Sequence, residues 1–107
     1  MSDGFNREAR AFVASYDELG LERKTAWELP EKDSTEWNLV RRMIGQAEWL
    51  SGQRNNPLVD LDIPQRMVIN FADDFLKWAG DPSQPRWARL FGGCNAIRWV
   101  WECSERY

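Results

Sequence analysis

Histidine is absent from this chain. The missing imidazole is the side chain whose ordinary pKa lies near neutral pH, and it is the commonest zinc and copper ligand. A Ser-His-Asp or Cys-His site within one chain is therefore excluded. Cysteine is scarce, with only Cys94 and Cys103. Two are too few for a disulfide framework. Their separation, two and a half helical turns, would put the thiols on opposite sides of a helix and out of bonding reach. Two reduced thiols in a cytoplasmic protein is the resulting expectation. No apolar run approaches the ~20 residues that span a bilayer. The opening Met1-Ser2-Asp3-Gly4-Phe5-Asn6 carries an acid and no hydrophobic stretch, against a secretory signal. Net basic charge is lacking too: the formal charge is −3, so no global field draws in nucleic acid. Neither a G-x-G-x-x-G nor a G-K-S/T loop occurs, nor a D-x-D-x-D-G calcium loop.

Aromatic residues are abundant. Seven Trp, five Phe and two Tyr stand among 107 residues. Each such ring buries on the order of 150–250 Å², so a few can carry the core of a small protein. The length fits one helical domain over residues 1–107.

Helical periodicity dominates. Phe5, Ala9, Phe12, Val13, Tyr16 and Leu19 recur at spacings of three and four, and Gly20 follows as a C-cap. Residues 21–32 are less regular and form an acidic connector in which Pro30 stops any helix before it, with Trp27 expected to pin it to the core. Asp33-Ser34-Thr35-Glu36 is a helix start, with Asp33 as N-cap and Glu36 reaching back to it. Val40, Met43, Ile44, Ala47 and Leu50 then make one stripe, with Trp37 at its head and Gly45 marking close approach of another helix. Asp62-Ile63-Pro64-Gln65 is a second start with a capping box. It leads the strongest amphipathic segment: Met67, Val68, Phe71, Ala72, Phe75 and Trp78. Ser83 begins a short helix holding Trp87, Leu90 and Phe91, which Gly92-Gly93 is expected to interrupt. The last element has two readings. Ile97, Trp99, Trp101 and Cys103 alternate as in a strand, but no second strand is at hand to pair with it. Helix is preferred, with a strand paired across a dimer as the alternative. The expected fold is an all-α compact bundle of four to five helices.

Chemistry has few places to reside. Asp73-Asp74 with Lys77, and Asp60 with Asp62, are carboxylate pairs that can serve acid–base work or hold Mg²⁺. A solvated helix face and a cap explain them more simply. Cys94, placed after the two glycines, would have a lowered pKa at a helix N-terminus; a buried thiol is the plainer reading. An enzyme is accordingly not expected, nor a bound cofactor or metal.

Surface features point to binding. From Asp17 to Glu36 seven acids face three bases, and from Arg86 onward four arginines face two acids. Arg89, Arg98, Trp99 and Trp101 combine the side chains that dominate protein–protein hot spots. Trp99 and Trp101 lie about 200° apart on a helix, so both cannot point inward. The candidate partner-binding set is Glu22, Glu28, Glu31, Asp33, Glu36, Trp37, Arg89, Arg98, Trp99 and Trp101. The small, acidic, histidine-free, Trp-rich profile resembles that of bacterial immunity proteins and phage anti-defence inhibitors, anti-CRISPR proteins among them. That resemblance is one of size and composition and carries no residue roles. It implies a protein that inhibits or neutralises a macromolecular partner, a protein rather than nucleic acid or membrane. The alternative is an oligomeric accessory subunit, for instance a homodimer, and a Mg-dependent carboxylate enzyme is a distant third.

Overall fold

The computed structural model describes residues 2–20, 28–56, 61–82 and 87–106. Among these residues four α-helices follow one another: α1 (Ser2–Leu19), α2 (Thr35–Gly52), α3 (Ile63–Gly80) and α4 (Trp87–Arg106). A 3₁₀ turn, Gln53–Asn55, extends α2. There is no strand among the described residues. The extended alternative for the last element is therefore set aside. With Ile97 and Cys94 sealed inside, a helical repeat serves the core and an alternating one does not.

The helices begin and end where local chemistry says they should, with corrections. Gly20 closes α1 at a φ of 61°, the left-handed conformation glycine adopts without Cβ strain. Its N–H donates to the Asp17 carbonyl at 3.1 Å. Asp62 caps α3 in a full capping box. Its Oδ1 accepts from the Gln65 N–H at 2.9 Å, and Gln65 Oε1 accepts from the Asp62 N–H at 2.9 Å. The α2 cap is Ser34, not Asp33. Asp33 takes a φ of 69°, whereas an N-cap needs extended backbone, which Ser34 has at φ −82°, ψ 163°. Ser34 Oγ accepts from the Trp37 N–H at 3.0 Å, and Glu36 is left free of the cap. Helix α3 runs through Gly80, and Asp81 is its C-cap.

The expected break at Gly92-Gly93 does not occur; α4 is continuous. Two glycines weaken a helix by about 1 kcal/mol each, and burial of Leu90, Cys94 and Ile97 on either side outweighs that. Gly45 is exposed with open space around it, so it marks no helix contact. The close approach belongs to Gly93, where an added Cβ would sit 3.4 Å from Phe71 Cδ1.

Side-chain contacts set the directions. Phe5 near the start of α1 meets Trp49 near the end of α2, with ring centroids 6.3 Å apart. Gln65 Nε2 at the start of α3 donates to Asn6 Oδ1 at 3.2 Å. Asp17 pairs with Arg98, and Arg10 lies over Trp101. So α1 and α3 run one way, α2 and α4 the other. Helix α2 packs on both α1 and α3, and α4 packs chiefly on α3. Aromatic rings bridge α1 to α3. Phe12 lies 5.4 Å from both Phe71 and Phe75, edge-on to the latter, and Tyr16 meets Phe71 at 5.2 Å. Trp78, Phe12 and Phe75 are fully buried. At about 1.5–3 kcal/mol per buried apolar side chain, these rings contribute to the core alongside the aliphatic contacts of α2 and α4.

Candidate partner-binding surfaces

The acidic surface forms where α1 ends and α2 begins. The chain arrives through a turn in which Ser34 Oγ donates to the Glu31 carbonyl at 2.6 Å. Leu29 is half-buried against the core and ties the connector down. The expected anchor Trp27 lies outside the described residues, as does Glu22. Glu28, Glu31, Asp33 and Glu36 are exposed, and none is ion-paired to another described residue. Glu36 sits in the first turn of α2, where the positive end of the helix dipole favours a carboxylate. Trp37 is half-buried beside it. Next to this rim is an open cleft of about 260 Å³ lined by Glu18, Thr35, Glu36, Asn38, Leu39 and Arg42. Carboxylates outnumber the guanidinium there, so the cleft suits a cationic group.

The second surface is on α4. Arg98 is half-buried and pairs with Asp17 of α1. Trp101 is half-buried against the core, its ring 4.5 Å below the Arg10 guanidinium. Trp99 turns away and is 67% exposed. The backbone of Arg89 belongs to the first turns of α4; its side chain lies outside the described residues. Since α4 runs antiparallel to α1, its second half points away from the acidic end. The structure thus gathers Glu28, Glu31, Asp33, Glu36 and Trp37 at one end. Arg98 reaches Asp17 in the last turn of α1, close to that end, whereas Trp101 lies beneath Arg10 at the middle of α1. Two further apolar side chains are exposed, Trp49 at 44% and Ile63 at 71%. Trp49 falls off the Val40–Leu50 stripe, a signal that a helical projection contains.

The carboxylate and thiol candidates are tied into structure. Asp73 Oδ1 accepts from Ser51 Oγ at 2.5 Å and Oδ2 from Arg54 at 2.5 Å; Arg54 also donates to Asn70 Oδ1 at 3.2 Å. Burial raises the Asp73 pKa, but the Ser51 and Arg54 hydrogen bonds and the Arg54 and Lys77 charges together bring it below 3.8. A carboxyl held ionised in this way is a poor proton donor at neutral pH. Asp62 is engaged as a cap, and Asp60 lies outside the described residues. No group of three or more Asp, Glu or Cys side chains converges as a metal site among the described residues. Cys94 sits inside α4 rather than at its N-terminus, and burial pushes its thiol up to about 11. The lowered value expected from a helix start is thereby corrected. Cys94 and Cys103 are both unbonded. No described helix is long and apolar enough to cross a membrane. No protein-family model matches the chain, and no curated protein or solved structure matches it.

Proposed function

We propose that this is a non-enzymatic binding protein that neutralises a protein partner by covering a basic groove. The bacterial immunity and phage anti-defence inhibitors, anti-CRISPR proteins included, are the functional class it fits. One observation carries the reading: four exposed carboxylates, Glu28, Glu31, Asp33 and Glu36, with no ion-pair partner among the described residues, rim one end of the bundle beside an acidic cleft. A solvated surface normally intersperses both signs. Concentrated negative charge steers a basic partner and fixes its orientation.

The test compares the wild-type chain with a Glu28→Lys/Glu31→Lys/Asp33→Asn/Glu36→Lys variant as bait in the native host. Asn is used at position 33 because it tolerates the positive φ. A basic protein retained only by wild type, with purified affinity falling as the Debye length shrinks from ~30 Å at 0.01 M to ~3 Å at 1 M salt, is the expected result. Equal retention of the same partner by the variant would overturn the assignment of this end.

A further inference from the structure

We propose that the outer face of α4 binds a second copy of this chain, helix against antiparallel helix, about a two-fold axis close to Trp99 and Val100. This goes beyond the acidic docking end and does not depend on it. Gly92, Asn95, Ala96, Trp99 and Glu102 are all exposed. They recur at three- and four-residue spacing and so occupy one face, opposite the buried Leu90, Cys94 and Ile97. Trp99 is the centre of that face and is two-thirds exposed.

Charge selects a second copy as the occupant. Arg98 and Glu102 are four residues apart and share one flank of α4. A two-fold rotation that makes two helices antiparallel carries each flank onto the same flank of its mate. With the axis near residue 100, Arg98 of one copy meets Glu102 of the other, and the pair forms twice, as an isologous interface requires. Arg98 keeps Asp17 within its own chain, and a guanidinium has five donors, enough for both carboxylates. The opposite flank carries Ala96 and Val100, uncharged and small enough for close approach. The same geometry places the two acidic ends at opposite extremes of the pair. A parallel arrangement would set them side by side, at a cost in like-charge repulsion for chains of net charge −3.

Sedimentation across a wide concentration series tests this. The wild-type mass is expected to rise from 12.6 kDa toward twice that value. Glu102→Arg, which sets arginine against Arg98, should weaken self-association at least tenfold, and Glu102→Gln should weaken it less. Arg98→Glu alone should also be monomeric. An equimolar mixture of Arg98→Glu and Glu102→Arg should form a heterodimer, because every cross-pair is then complementary. Circular dichroism shows whether each variant is folded; if Arg98→Glu is not, the ranking of the two Glu102 variants decides. A wild-type chain that stays monomeric throughout, a Glu102→Arg dimer as tight as wild type, or folded variants that fail to complement would each overturn the proposal.

Discussion

Gly93 of α4 faces Phe71 of α3 so closely that a methyl group added to the glycine would lie 3.4 Å from the ring. That distance is ordinary van der Waals contact, so alanine fits and anything larger does not. Gly93→Ala should hold or raise stability, by up to about 1 kcal/mol from helix propensity. Gly93→Leu should cost about 1–3 kcal/mol through overpacking. Gly92, with open space around it, should accept both substitutions. Urea midpoints of the four variants check the contrast.

Trp99 and Trp101, two residues apart, should respond in opposite ways. Trp99→Ser should change monomer stability by less than about 0.5 kcal/mol, as exposed positions usually do. Trp101→Ala removes core packing and the Arg10 contact, and a loss of about 1–3 kcal/mol is expected. Thermal melts at low protein concentration separate this monomer term from any effect on self-association.

Asp73 makes part of the stability depend on acid. Its carboxyl pKa is lower in the fold than its ordinary 3.8. Its contribution is therefore complete above about 4 and is lost as the pH falls through the folded value. The group is partly exposed, so the term should amount to less than about 1 kcal/mol. Asp73→Asn should destabilise the protein at neutral pH and flatten the acid limb of the melting profile. A variant profile parallel to wild type at low pH would show that Asp73 carries none of the acid response.

Gln46 has a buried side-chain oxygen with no hydrogen-bond partner among the described residues. Such an atom costs about 1–3 kcal/mol. Gln46→Leu, near in volume, should raise the melting temperature. The sequence pattern places Gln46 on the polar side of α2, yet the residue is half-buried.

Most of the helical plan was legible without coordinates. The α1 and α3 stripes, the Asp62–Gln65 capping box and the Gly20 stop are local features: each depends on residues within one helix, and the structure reproduces them. Structure and sequence pattern part where distant residues decide. Asp33 and Ser34 are both competent caps by composition, and the path of the incoming chain chose between them. Gly92-Gly93 reads as a break, but α3 offered α4 a surface that outweighed two weak positions. Gly45 and Gly93 look alike in sequence, and only the facing helix distinguishes them.

The candidate surfaces divide along the same line. Periodicity alone required that Trp99 and Trp101 face different ways, since the helical angle between them is set by chain geometry. Which of the two is exposed was decided by α1, which supplies Arg10 over Trp101 and leaves Trp99 outward. The acidic excess was plain in the composition, but the Asp17–Arg98 pair that joins its α1 edge to α4 was not. That pair follows from the packing of α1 against α4, a relation between helices far apart in sequence that no local pattern encodes.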